Sequence, residues 1–487
     1  MKRSLAAIAI AILVLAGVIA VRTATFRTPS VPRVTSKKTG ADEDQLAARL
    51  AAAVRFRTVS TQDPAQFAGA PFRAFQQYLG EAFPAAHARL QFETICEYSL
   101  LYTWPGSDPS LSPILLIAHQ DVVPVEQETE KDWSHPAFDG AISDGFVWGR
   151  GTLDDKSSLM AILEAVEALL RDGYQPKRTI YLAFGHDEEV GGPQGAPKIA
   201  EVLKSCGVHL ECAVDEGETI VEGVVPGVSM PVAVVGLAEK GYLSLELSVE
   251  GRGGHSATPP RNTALGILAR AITRIENHPF PAHLECATEF FRNLAPQMPV
   301  LERAVFANLW LTAPLVKRIF ANDPTMNAAI RTTSAATLCS AGVKENVLPN
   351  RAVAVINFRI MPGDTVEFVI EGVNTIVDDE RVHAKPLAAP NGPSRVSDLN
   401  APSYAALVKS ILETAPPDTV AAPFMVLGAS DSRHYESIAD NVYRFLPIRM
   451  SKEDLDRIHG TNERIAVNDY ARMVSFYTQL IQNSNPS

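Results

Sequence analysis

Ile114-Leu115-Leu116-Ile117-Ala118-His119-Gln120-Asp121 is the stretch from which the rest of this 487-residue chain can be read. Four consecutive apolar residues without alternation, ended by polar ones, form the pattern of a strand buried on both faces, as in a parallel sheet. A histidine and a carboxylate stand at its carboxyl end. The same construction recurs twice: Ile180-Tyr181-Leu182-Ala183-Phe184 leads to Asp187-Glu188-Glu189 before Gly191-Gly192, and Ala213-Val214 leads to Asp215-Glu216-Gly217. Between the first two, Ser157 to Arg171 carries Leu159, Ile162, Leu163, Val166, Leu169 and Leu170 at helical spacing, with Gly173 placed to end the helix. This alternation predicts an α/β fold, a helix-covered and mostly parallel sheet.

In such a sheet ligands bind in the crevice beyond the carboxyl ends of the strands, so the three acidic sites converge there. Asp154-Asp155, in a glycine-rich loop entering the first helix, and His459, in His459-Gly460-Thr461-Asn462-Glu463, are further contributors. Imidazole and carboxylate are the ligands of zinc-like ions, and five of them hold two ions if one carboxylate bridges. In the Glu188-Glu189 pair one carboxylate can bind metal while the other takes a proton from water. Singly, each residue has a plainer reading: His119 a satisfied core histidine, Asp154 or Asp155 a helix cap, the Glu pair a solvated face. Their convergence favours the metal site. His135, His186, His209, His278, His283 and His383 lack such a setting and read as structural.

The length calls for two domains, since single cores stop growing at about 250–300 residues. The pattern changes near Gly236: Leu245, Leu247 and Val249 alternate with polar residues, a helix follows from Thr263 to Ile275 with Asn262 as its expected cap, and a second strand runs from Ala352 to Ile360. An inserted α+β domain over 236–387 is expected, with 41–235 and 388–487 forming the first domain. Asp42 to Val54 reads as a helix, while Pro279 to Met326 shows no clear period. The formal net charge of −11 argues against nucleic-acid partners. Lys2 and Arg3 followed by an apolar run from Leu5 to Val21 form an export signal, either a signal peptide cleaved after Val18-Ile19-Ala20 or an uncleaved membrane anchor. Residues 1–40 are therefore leader and linker, and the remainder is expected outside the cytoplasm, periplasmic, secreted or anchored. Five cysteines, an odd number, imply no disulfide scaffold; Cys206 and Cys212 are close enough in sequence to bridge, with free thiols the default.

Trp148-Gly149-Arg150-Gly151-Thr152-Leu153-Asp154-Asp155-Lys156, Gly253-Gly254-His255-Ser256-Ala257-Thr258-Pro259, Ser430-Asp431-Ser432-Arg433-His434 and Arg457-Ile458-His459-Gly460-Thr461-Asn462-Glu463 occur in that order. Through them, from about Gln45 to Asn485, the chain resembles the co-catalytic zinc peptidases that include aminoacylase, glutamate carboxypeptidase and carboxypeptidase S. It is nearest to their secreted N-fatty-acyl-amino-acid synthase/hydrolase branch. The resemblance implies two zinc ions per chain (Zn2+, with Co2+ or Mn2+ as alternatives): Asp154 bridging, His119 and Asp215 completing one site, Glu189 and His459 the other. It makes Glu188 the base, Asp121 the residue that orients His119, and Asp155 a neighbour rather than a ligand. In the inserted domain, which it implies to be a lid and dimerisation unit, His255 stabilises the oxyanion and Arg359 grips the substrate carboxylate, beside Gly428 and Ser430. Hinges are expected near Leu237 and Ala388. Trp133, Phe138 and Trp148 are candidates for an acyl pocket, with core packing as their other reading. The implied activity is hydrolysis, or reversible formation, of the amide bond of a small N-acyl amino acid, with a carboxypeptidase on short peptides as the alternative. A metal-free binding ectodomain on the same fold is a third reading, disfavoured because none of the five expected ligands is missing.

Overall fold

The structure is a computed structural model that describes residues 2–26, 35, 37, 40–225 and 227–485. Its largest sheet has eight strands: β1 (Gln91–Ile95), β2 (Ser99–Trp104), β3 (Ile114–His119), β4 (Ile180–Gly185), β5 (Leu210–Val221), β6 (Val232–Glu239), β7 (Val420–Val426) and β8 (Ala439–Met450). Their order across the sheet is β1-β2-β4-β3-β5-β8-β6-β7, and the central four, β4-β3-β5-β8, run parallel. The opening stretch explains this placement. All six residues of β3 are buried. Ile114 and Leu116 enter the core beneath helices Glu43–Val54, Lys156–Arg171 and Val467–Asn483, while Leu115 and Ile117 enter the opposite core beneath helix Ala196–Ser205. One strand thus feeds two cores, which is why its sequence shows no alternation. Asp42 caps the first of these helices by accepting the N–H groups of Asp44 and Gln45. Gly173 follows Lys156–Arg171 with φ 75°, in the left-handed region expected of a helix-ending glycine.

The inserted unit is a four-stranded antiparallel sheet in the order Thr333–Ala341, Arg351–Ile360, Gly241–Glu250, Val382–Pro386. Leu243, Leu245, Leu247 and Val249 face inward against helices Ala264–Asn277 and Val366–Val377. Thr263, not Asn262, caps the first of these helices: its hydroxyl accepts from the Gly266 N–H, and the Asn262 carbonyl is taken by Arg270. Leu237, an expected hinge, lies inside β6; the chain passes to the inserted sheet at Lys240-Gly241 and comes back against the large sheet where Ser394 and Ser397 donate to the carbonyls of Glu239 and Leu237.

The stretch without period resolves into four short helices, Glu285–Leu294, Val300–Ala307, Leu309–Phe320 and Pro324–Ala328. Pro299 and Pro324 stand at helix starts and Pro314 lies inside Leu309–Phe320, so the sequence shows no single period across the stretch. Phe290, Phe291, Leu294 and Val316 pack against Val232 and Val234 of β6 and Ala422 of β7, so this part of the insertion covers the edge of the large sheet. Lys2–Thr25 forms one apolar helix, and most of the linker after it lies outside the described residues. All five cysteines are free, so Cys206 and Cys212 do not bridge.

Candidate metal centre

The carboxyl ends of β3 and β4 and the middle of β5 meet the Gly149–Lys156 loop and the His459 loop in one pocket of opposite charges, open to solvent at His459, whose side chain is 52% exposed. His119 Nε2 lies 2.9 Å from Asp154 Oδ1 and 3.4 Å from Glu216 Oε1. His459 Nε2 lies 3.0 Å from Asp154 Oδ2 and 3.1 Å from Glu189 Oε2. Asp154 therefore offers one oxygen to each side, as a bridging carboxylate must. The donors fall into two groups, His119/Asp154/Glu216 and Asp154/Glu189/His459, each with its ligand atoms within 4.8 Å of one another. Two imidazoles and three carboxylates in this arrangement suit a pair of divalent ions of the zinc type.

The electrostatics fit the same group. Burial disfavours charge on His119, yet its contacts with Asp121, Asp154 and Glu216 outweigh that and push its pKa well up. His459 rises to about 10 through Asp154 and Glu189. Burial would raise Asp154, but the two imidazoles overcome it and lower it. Glu188 and Glu216 are pushed well up by burial and by neighbouring carboxylates, which is the crowding of negative charge that a cation relieves. Asp155 is fully buried, likewise pushed up by burial, with both oxygens unpaired and in neither ligand group.

Asp121 is 0% exposed and acts on two neighbours at once. Its Oδ1 lies 3.3 Å from His119 Nδ1, and its two oxygens accept the backbone N–H groups of Glu188 (3.2 Å) and Glu189 (3.1 Å). One carboxylate thus holds the His119 ring and fixes the turn that carries the Glu pair. Glu188 itself belongs to neither ligand group.

Three expectations need correction. The residue brought to His119 is Glu216, not Asp215. Adjacent strand residues point to opposite faces, and Asp215 is turned to the Ser430 hydroxyl at 2.9 Å. The β5–β8 register slips between Asp215 and Glu218, and Gly217, at φ 141°, makes the bulge; a Cβ there would lie 2.9 Å from Arg444 Cβ. Ser430 is 4% exposed, and its hydroxyl is spent on Asp215, Glu239 and Ser432 rather than presented to a ligand. Trp133, Phe138 and Trp148 lie under the arginines Arg150, Arg57 and Arg464, packing the loop scaffold. The other substrate-side candidates sit outside both ligand groups: His255 is exposed on Gly254–His255, Arg359 is half-buried with its guanidinium 5.0 Å from the Tyr242 ring, and Gly428 is exposed beyond β7.

Besides Glu216, two residues of the site carry no signal in the sequence beyond standing next to motif residues. Glu463 accepts the N–H groups of Gly151 and Leu153 and so holds the loop bearing Asp154. Asp431 is buried with Oδ2 unpaired, 2.7 Å from where a Cβ on Gly185 would stand. Its pKa is pushed well up by burial and by Asp215. The signal for both was a carboxylate beside a recognised motif residue, which alone is too common to select.

The comparisons with known proteins agree with this geometry. The chain is 41% identical to the probable carboxypeptidase S-like 2 of Dictyostelium discoideum, over 90% of this chain and 85% of that one. It is 42% identical to the N-fatty-acyl-amino acid synthase/hydrolase PM20D1 of Homo sapiens, over 84% and 82%. Among solved structures, the M20 family metallo-carboxypeptidase Sso-CP2 from Sulfolobus solfataricus shares the fold with a TM-score of 0.63 at 17% identity, covering 90% of this chain and 99% of that one. Human carnosine dipeptidase 1 does so with a TM-score of 0.60 at 15% identity, over 90% and 96%. Residues 115–483 match Peptidase family M20/M25/M40, and the chain belongs to that family of dinuclear metal-dependent hydrolases.

Proposed function

We propose that this protein hydrolyses, and in reverse forms, the amide bond of N-fatty-acyl amino acids, with zinc as its metal. The observation that carries the acyl preference is a cavity of about 1050 Å³ at the junction of lid and sheet, with Leu237, Leu284, Ala313, Met361, Phe424 and Met425 in its wall. Met361 stands two residues past Arg359, and Met425 precedes the turn to Gly428. The wall includes neither the ligand residues nor Arg359, so the scissile carbonyl lies elsewhere, and an acyl chain, carried by that carbonyl, would reach this cavity from the metal side as the lid closes. The PM20D1 relatives support the same substrate class.

His119, Asp154, Glu189, Glu216 and His459 would hold the ions, which when bound polarise the scissile carbonyl and acidify water. Glu188, raised by burial, is poised to take a proton and return it to the leaving amine. His255 Nδ1 accepts the Ala257 N–H at 3.0 Å, so a neutral ring carries its proton on Nε2, free to donate to an oxyanion once the lid closes. Arg359 supplies a planar two-pronged donor for the substrate carboxylate. The exposed edge strand Thr333–Ala341 supports a homodimer through the lid. The apolar Lys2–Thr25 helix supports export with the catalytic body outside the cytoplasm.

The carboxypeptidase S-like relatives favour a second reading, short peptides with a free carboxylate. A screen of metal-loaded protein separates the two. N-acyl amino acids of increasing chain length should gain in kcat/KM as the chain fills the cavity, ahead of dipeptides. Faster turnover of dipeptides, with no gain from chain length, would select the peptide reading.

A further inference from the structure

Six large apolar side chains stand in water on helices Val300–Ala307 and Leu309–Phe320: Val300 (65% exposed), Leu301 (75%), Trp310 (55%), Leu311 (49%), Leu315 (55%) and Ile319 (55%). Leu311, Leu315 and Ile319 are spaced by four and form one stripe. The opposite side of the same helix is spoken for: Val316 is 2% exposed in the core over β6 and β7, and Ala313 faces the apolar cavity. The helix is thus apolar toward the protein and apolar toward solvent, an arrangement that soluble surfaces rarely carry without a partner.

The partner is indicated by what adjoins this face. The apolar helix Lys2–Thr25, long enough to cross a bilayer and unburied through its apolar window, is fastened to the body at the junction of these two helices and at helix Glu285–Leu294. Arg22 Nε donates to the carbonyl of Ala307 at 3.1 Å, Asn308 Nδ2 reaches Thr23 Oγ1 at 3.4 Å, and the Arg292 guanidinium lies 5.7 Å from the Phe26 ring. The exposed stripe therefore begins where an anchor would emerge from the membrane. Arg318, exposed in the last turn, suits anionic headgroups, and a tryptophan with an apolar body and a polar edge suits the same boundary.

We infer that helices Val300–Ala307 and Leu309–Phe320 form a second membrane contact, an interfacial face that lays the catalytic body on the bilayer beside its anchor. The inference rests on the anchored reading of the N-terminus, and it places the acyl cavity one helix away from the lipid.

The test uses the intact chain reconstituted in phosphatidylethanolamine/phosphatidylglycerol vesicles with or without brominated acyl chains. Trp104, Trp133 and Trp148 are buried, at 3, 9 and 5% exposure, so quenching by bromolipid reads Trp310. Emission should fall on bromolipid, and Trp310→Phe should abolish the fall. Leu311→Ser/Leu315→Ser should lose the quenching while the protein still floats with the vesicles and still cleaves a short-chain substrate in detergent. Flotation without any Trp310 quenching would overturn the docking face and leave the anchor standing. Failure to float would overturn both. A concentration-dependent dimer in detergent that the serine variant dissolves would assign the face to a second copy instead.

Discussion

Glu463 and Arg150 form an ion pair at 2.5 Å whose side chains are 0% and 3% exposed. The other oxygen of Glu463 accepts the N–H groups of Gly151 at 2.9 Å and Leu153 at 2.7 Å. Arg150 in turn donates to the carbonyl of His459 at 3.1 Å. One buried pair therefore sets the distance between Asp154 and His459, which are 305 positions apart.

Replacing Glu463 by Gln keeps the shape and removes the charge, leaving Arg150 buried without its partner. That should cost about 3–5 kcal/mol of stability and weaken metal binding roughly 10–100-fold. Denaturant unfolding and metal titration measure the two; wild-type values for both would mean the pair is dispensable.

Glu188 and Glu189 are adjacent, but only Glu189 reaches His459, which under the proposed mechanism makes Glu189 a ligand and Glu188 the base. Glu188→Gln should keep its metal and lose on the order of 10²–10⁴ in turnover, whereas Glu189→Gln should lose metal. Metal content by mass spectrometry alongside turnover distinguishes them, and an active, metal-replete Glu188→Gln protein would remove the base assignment.

The strands and the place of the site were legible because β3, β4 and the first half of β5 are short apolar runs followed by ionisable residues, although β5 itself continues to Val221. The choice between Asp215 and Glu216 was not. It depends on a bulge made against β8, more than two hundred residues later, and on the hydroxyl of Ser430 that draws Asp215 aside. The inward direction of the Ser430 hydroxyl is likewise invisible in the sequence, because a small residue near a site gives no hint of which way it faces. Trp133 and Trp148 were ambiguous for a related reason: an aromatic beside a glycine loop packs equally well under an arginine or against a substrate. The short helices of 285–328 offered too few turns to reveal a period.

Arg444 is 0% exposed, and its Nε donates to Glu239 Oε1 at 2.7 Å and to Ser432 Oγ at 2.9 Å. It joins β8 to the end of β6, where the chain leaves for the lid. Arg444→Met strands the Glu239 carboxylate in the interior and should destabilise by about 3–5 kcal/mol. Adding Glu239→Gln should recover much of that, because the cost arises from the unpaired charge. A double-mutant cycle with strictly additive losses would contradict this coupling.

Lys240, the next residue, is 2% exposed, with Nζ donating to the carbonyls of Ala328 at 2.9 Å and Arg331 at 2.8 Å. Burial, reinforced by the Arg359 guanidinium and only partly opposed by Asp364, lowers its pKa from 10.5 to about 8. Between these values the unfolded chain binds the proton that the folded chain has released, so the contribution of Lys240 to stability rises with pH across that window. Below about 8 both states are charged and the penalty of burying the ammonium is fully present. The difference in unfolding free energy between wild type and Lys240→Met should thus be flat below pH 8 and turn in favour of wild type toward pH 10.5. A carboxylate bound at Arg359 would place negative charge near Lys240 and move the start of that window upward. Measuring the difference curve with and without a carboxylate inhibitor tests both points; a curve flat throughout would return Lys240 to its ordinary value, and an unmoved window would separate it from the Arg359 site.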